Sequence, residues 1–141
     1  MEAKLKHLEL IQGVVNRLAS ASFRMKGWSV VLVSALLVLG AQVGSVELGI
    51  VALVPVLVFW GLDGYFLSQE SLFRKLFNAV RKRKEEDIDF SMSVQGLRSE
   101  GRFWTGDWLS AVRSRTLWPF YVMLALLALA SVFIQPLGSG R

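Results

Sequence analysis

Apolar positions along the chain follow three regimes. In the first, Leu5, Leu8, Ile11, Val15, Leu18, Ser22 and Met25 recur three and four residues apart, while Lys4, Glu9, Asn16 and Arg17 lie mostly off that stripe. This spacing predicts one amphipathic helix over residues 1–26, with a face that must cover something apolar. Such a helix lies along the inner membrane surface or packs on another helix of an assembly. In the second regime charge disappears: none occurs from Trp28 to Val46, from Leu48 to Leu62, or from Thr116 to Gly140. In the third, Leu72, Phe73, Leu76, Phe77 and Val80 form one apolar face amid Arg74, Lys75, Arg81, Lys82, Arg83 and Lys84.

The charge-free blocks are long enough to cross a bilayer. Span one is expected from about Gly27 to Val43, with Trp28 at the interface, and span two from about Leu48 to Phe66. Gly44, Ser45, Val46 and Glu47 alone separate them, so the two form a tight antiparallel hairpin over residues 27–67. Pro55 removes a backbone donor near the middle of span two and predicts a kink there. Small residues at Gly27, Ser34 and Gly40 offer a surface for close helix approach.

Span two is expected to continue without a real break into the amphipathic helix and to end near Glu86. The basic run Arg81-Lys82-Arg83-Lys84 abuts Glu85, Glu86, Asp87 and Asp89, which reads as a solvated face with i,i+4 pairing or as an inter-subunit contact. Residues 90–102 have little periodicity and read as a connector. Phe103, Trp104, Trp108, Leu109 and Val112 then predict a short amphipathic helix at headgroup level, completing a cytoplasmic segment over residues 68–115. The third span occupies residues 116–141 with the outer terminus, and Pro119 falls in its first turn, where a missing donor costs little.

Composition agrees with a membrane protein. The 141 residues are 53% hydrophobic, and a soluble domain of this size has nowhere to bury three such blocks. Five Lys/Arg precede span one, ten lie between spans two and three, and Arg141 alone follows. The positive-inside rule therefore places the amino terminus and residues 67–115 in the cytoplasm and the carboxyl terminus outside, in a bacterial inner membrane. The basic flanks also predict attraction to anionic lipid at the inner surface. They do not suggest nucleic acid, because the aromatic residues sit in or beside apolar blocks and are not interleaved with the basic ones.

Candidate chemistry is sparse. The absence of cysteine excludes disulfides, thiolate metal sites and cysteine nucleophiles. His7 is the single histidine and reads as a polar residue near the terminus, so no metal, cofactor or enzymatic site is expected. Asp63 stands out. Counted from Glu47 at the outer surface, it lies at a depth of about 24 Å, just inside the inner boundary. An acid there costs free energy unless paired or hydrated. The antiparallel hairpin brings Lys26, Arg24 and Trp28 to the same depth as candidate partners, and an acidic ring at the mouth of an oligomeric pore is the alternative. Gly61 and Gly64 beside it permit close packing or local unwinding.

Two blocks carry a resemblance. His7-Leu8-Glu9-Leu10-Ile11-Gln12 through Asn16-Arg17, Ser22-Phe23 and Lys26-Gly27-Trp28-Ser29 form the first. Phe59-Trp60-Gly61-Leu62-Asp63-Gly64-Tyr65-Phe66-Leu67, with Gln69-Glu70 and Leu72-Phe73-Arg74-Lys75-Leu76, forms the second. Together they resemble a family of small bacterial integral membrane proteins of uncharacterised function, over roughly residues 5–80 and more loosely through Ser114 to Tyr121. The resemblance implies the fold and transfers no catalytic residue. In size and topology alone the chain is similar to small membrane effectors of bacterial defence systems that assemble into rings.

The sequence therefore predicts an all-α polytopic membrane protein with three transmembrane helices and cytoplasmic amphipathic helices, working as a homo-oligomer. A pore or channel-like assembly is the first functional expectation. The alternative is a non-conducting scaffold or accessory subunit that recruits a cytoplasmic protein partner through residues 68–89.

Overall fold

The structure, a computed structural model, describes residues 1–97 and 104–138, with side chains throughout except at residues 104–106 and 135–138. The expectations placed on residues 98–102, on Phe103, on the Trp104 side chain and on Arg141 lie outside the described residues.

The first helix, α1, runs from Glu2 to Val43 as one continuous element. The amphipathic segment and span one are therefore a single rod, with no turn near Lys26 that would lay residues 1–26 along a membrane surface. Gly44 ends it. At φ 69° and ψ 28° this residue takes the left-handed conformation that glycine adopts without a Cβ penalty, and its N–H bonds back to the Gly40 carbonyl. Ser45 then starts α2 (Val46–Val51), so the hairpin connection is shorter than the four residues anticipated.

The kink expected at mid-span appears instead as a join at Ala52, between α2 and α3 (Leu53–Lys82). Pro55 explains the placement, since its missing N–H falls in the first turn of α3, where no intrahelical donor is required. Ala52 itself stays helical, and its N–H reaches the Leu48 carbonyl at 3.0 Å. The carboxyl-terminal end of α3 is Lys82, a turn short of the anticipated Glu86; Arg83 is extended, at φ −71° and ψ 152°. The remaining helices are α4 (Trp104–Val112) and α5 (Leu117–Gly138). Ser114 caps the entry to α5 by accepting the Leu117 N–H on its hydroxyl at 3.3 Å.

Three long helices pack up, down and up. Antiparallel α1 and α3 meet along most of their length, Val33 packing with Ala52 and Val56, and Ile11 with Leu76 and Val80. Toward the hairpin, α5 joins them through Leu117, Tyr121, Leu124 and Ala128, closing an apolar three-helix core. Gly49 of α2 permits that closure, for a Cβ there would stand 2.8 Å from both Ser131 Oγ and Val132 Cγ2 of α5. Of the small residues singled out in span one, Gly40 is buried, but Gly27 and Ser34 face outward.

Below the core, α1 and α3 continue together. The anticipated Leu72, Leu76 and Val80 stripe is buried against α1, where Ile11 and Val15 oppose it. Leu5 departs from its expected place and is exposed, while His7 and Ile11 carry the buried face there. The segment after α3 is more than a connector: Ile88, Met92, Val94 and Leu97 fold back over the end of the helix pair. Every helix is thus accounted for by burial of one face, and the opposite faces of the upper halves stay apolar and exposed, as at Val31, Val38, Val54, Leu57, Met123 and Leu126. With three helices long and apolar enough to cross a membrane, the chain is a membrane-embedded all-α protein.

Candidate functional site

At the junction between the three-helix core and the two-helix extension, all three long helices send polar groups inward. Asp63 of α3 is fully buried. Its Oδ1 accepts a short hydrogen bond from the Ser22 hydroxyl of α1. Its Oδ2 accepts the Lys26 ammonium at 2.6 Å and the Tyr121 hydroxyl of α5 at 3.1 Å. Lys26 also donates to Ser22 Oγ at 3.0 Å, and the hydroxyl of buried Ser29 donates to the Lys26 carbonyl at 2.8 Å. Both carboxylate oxygens are satisfied and the charge is matched, which is the condition for holding an acid at this depth.

Helix periodicity selects these partners. Ser22, Lys26 and Ser29 are spaced by four and three and share the α1 face that meets α3, whereas Arg24, two residues from either neighbour, points away. Of the anticipated site, the structure brings together Asp63 and Lys26 alone. Arg24 and Trp28 are exposed on the outward face of α1, away from the acid, whose partners are Ser22, Lys26 and Tyr121. Ser22 and Tyr121 are the members that sequence reasoning missed. Ser22 was already on the stripe; Tyr121 is the one tyrosine of a charge-free block, and a buried phenol needs a partner.

Around the ion pair, α4 packs on α3 at the two glycines. The Trp108 indole donates to the Gly61 carbonyl at 2.9 Å, and the Trp60 indole donates to the Val112 carbonyl at 3.1 Å. Trp60 in turn stacks on Tyr121, ring centres 6.1 Å apart. A Cβ on Gly64 would lie 2.5 Å from Val112 Cγ2, so Gly64 serves close packing, and α3 remains helical through it with no unwinding.

This arrangement is a clamp with one partly exposed side. Lys26 retains 20% of its side-chain exposure, while Asp63 has none, and the apolar core of Val33, Val56 and Leu124 closes the side toward the hairpin. The negative charge is therefore turned inward and compensated within its own chain. Among the described residues no group of three His, Cys, Asp or Glu is placed to hold a metal ion.

A second polar assembly secures the far tip of the α1/α3 extension. His7, which reads from sequence as a polar residue near the terminus, is buried; its Nε2 donates to the Ser91 carbonyl at 3.1 Å, and its ring lies 5.4 Å from that of Phe90. Phe90 takes a left-handed φ of 53°, a conformation a bulky residue adopts only when its surroundings impose it. The charged block pairs differently from the i,i+4 pattern: Glu85 meets the amino terminus, Lys4 donates to the Arg83 carbonyl at 2.8 Å, and Arg83 lies 3.5 Å from Asp89. The Ser91 N–H, and to a lesser degree Arg83 and His7, hold the Asp89 carboxyl below the usual aspartate range.

No protein-family model, curated protein or solved structure matches the chain.

Proposed function

We propose that the protein is a non-conducting scaffold or accessory subunit of the bacterial inner membrane, with its amino terminus and residues 67–115 in the cytoplasm. The observation that supports this over a pore is the closure of Asp63 upon Lys26, Ser22 and Tyr121. A conduction path needs polar groups along a common axis. Among the described residues, few polar side chains reach the outer surface of the spans, Ser34 and Gln42 of α1 being the main ones. Membership in the small bacterial membrane family that the two motif blocks resemble belongs to the same proposal.

The part offered to a partner is the α1/α3 extension. Its apolar stripe is used internally, which leaves Arg74, Lys75, Asn78, Arg81 and Lys82 exposed on α3. A surface of this charge selects an acidic partner more by steering and specificity than by affinity. Homo-oligomers, where they form, associate through the apolar outer faces and gather several such extensions side by side.

Two measurements test the reading together. Planar-bilayer recording of purified protein is expected to stay silent across voltages and lipid mixtures. A photo-crosslinking residue at Asn78 is expected to capture one discrete protein in living cells, and the same probe at Leu57 none. Stepwise conductance from the purified protein would overturn the reading.

A further inference from the structure

The outward face of α1 carries two adjoining depressions that the fold does not use. The first, of about 430 Å³, is lined by Phe23, Arg24, Gly27, Trp28 and Val31, and is almost wholly apolar apart from Arg24. The second, of about 320 Å³, is lined by Asn16, Arg17, Ser20 and Arg24. Arg24 is common to both, so a polar recess opens directly into an apolar one.

We propose that this face binds one anionic glycerophospholipid of the inner leaflet, its phosphate held by Arg17, Ser20 and Arg24 and an acyl chain lying over Gly27 between Phe23 and Trp28. The inference rests on the orientation proposed above for its leaflet, though not for its chemistry.

Charge is the first support. Arg17 and Arg24, both exposed, have no carboxylate partner among the described residues; Lys75, Arg81 and Lys82 of α3 lack one too, but Arg17 and Arg24 line one recess together. A guanidinium is suited to phosphate by geometry as well as charge. Depth is the second. Gly27 opens the charge-free block, and Arg24 precedes it by about 4.5 Å along the axis, within an interfacial layer about 5–8 Å thick. Arg17, about 10 Å farther out, closes the recess from the cytoplasmic side.

Gly27 is the third support. A glycine within a helix weakens it, and here neither backbone nor packing calls for one: its φ is ordinary, and a Cβ would meet nothing within 4 Å. Phe23 and Trp28 flank it at 78% and 59% exposure. The missing side chain makes a notch that the chain itself leaves unfilled, bounded by large apolar groups at the level where an acyl chain begins. A second copy is the less suited occupant. Parallel copies meeting at this face would set Arg24 against Arg24 at one depth, with no acid on either side.

The test uses full-length protein in neutral detergent, where membrane orientation has no influence. Phosphatidylglycerol with brominated acyl chains is titrated while tryptophan fluorescence is followed, with Trp28→Phe defining the signal from the site. Saturable quenching at one lipid per chain is expected, with phosphatidylcholine binding far more weakly. Arg17→Gln with Arg24→Gln should weaken the binding about 30-fold, and Lys75→Gln, an exposed cation elsewhere, should not. Gly27→Leu should abolish the quenching by filling the notch while leaving the melting temperature near that of the wild type. Equal binding of both lipids, indifference to the double substitution, or displacement by inorganic phosphate would each overturn the proposal. So would a detergent dimer that Gly27→Leu dissociates, since the face would then belong to a second copy. Lipid binding combined with a reversed topology would overturn the orientation alone.

Discussion

Lys26 and Tyr121 converge on a single oxygen, Oδ2 of Asp63, from 2.6 and 3.1 Å and from two different helices. One carboxylate thereby ties α5 to the α1/α3 pair, and the two donors are unequal in consequence. Asp63→Asn leaves the Lys26 ammonium without its counter-charge and should lower unfolding stability by about 3 kcal/mol. Tyr121→Phe removes one neutral donor and should cost about 1 kcal/mol. Adding Lys26→Gln to Asp63→Asn should recover part of the loss, because neither charge then stands alone. Thermal unfolding in detergent, followed by circular dichroism, decides this; equal melting temperatures for all variants would deny the cluster any structural role.

Gly64 and Val112 form a steric pair. Gly64→Ala places a methyl 2.5 Å from Val112 Cγ2 and should destabilise by about 1–3 kcal/mol, shifting α4 away from α3. Gly61→Ala, whose methyl would sit 3.7 Å from the Trp108 ring, should be tolerated. Val112→Ala is expected to restore Gly64→Ala. The emission of Trp108, which loses its bond to the Gly61 carbonyl when α4 moves, reports the displacement.

In the α1/α3 extension, Leu76→Asp buries an unpaired carboxylate against Ile11 and should cost about 3–5 kcal/mol or abolish accumulation of the protein. Lys82→Gln changes an exposed charge and should stay within about 0.5 kcal/mol. Size-exclusion light scattering with thermal melts separates the two; identical behaviour would mean that the stripe is not a packing surface.

The spans were legible because charge-free blocks are a one-dimensional signal, and so was the pairing of Lys26 with Asp63, since a hairpin fixes which depths meet. Angular position was harder to see. Arg24 and Trp28 share the depth of Asp63 but not its face, and depth was the criterion applied to them. Lys26 is one helical turn from Ser22, which lies on the buried stripe, and that spacing separates it from Arg24. Tyr121 depends on how α5 docks, a contact across 58 positions that no local pattern encodes. His7 was hidden by its polarity, though its spacing of four from Ile11 puts it on the buried side, and what covers it comes from residues 90 and 91, far along the chain.

Topology can be read with single cysteines, since the chain has none of its own. Ser45→Cys, in the hairpin, should react with a membrane-impermeant thiol reagent on intact cells, and Ser93→Cys should react only after permeabilisation. Labelling of Ser93→Cys from outside would invert the proposed arrangement.

Acid should loosen the segment after α3. The Asp89 carboxyl is held below its ordinary value of about 3.9, chiefly by the Ser91 N–H, so it favours the folded segment above that value. The contribution is lost as pH falls through the depressed folded value. Amide exchange at residues 89–93, corrected for its intrinsic pH dependence, should therefore lose protection below about pH 4, and Asp89→Asn should remove that step. A pH-independent profile in the wild type would exclude the carboxylate as the anchor.

Because α1 has no joint at the membrane surface, it behaves as a lever. Its 42 residues span about 63 Å, of which about 37 Å lie on the amino-terminal side of Gly27. Tilting is one way helices adapt to a thinner or thicker bilayer, and a change of about 10° about Gly27 would sweep the far end of that arm sideways by about 6 Å. With α3 packed along it and the residues after α3 strapped across the tip, the pair moves as one body. A tilt of α1 would thus reach the charged tip as a lateral displacement, without any rearrangement of the fold.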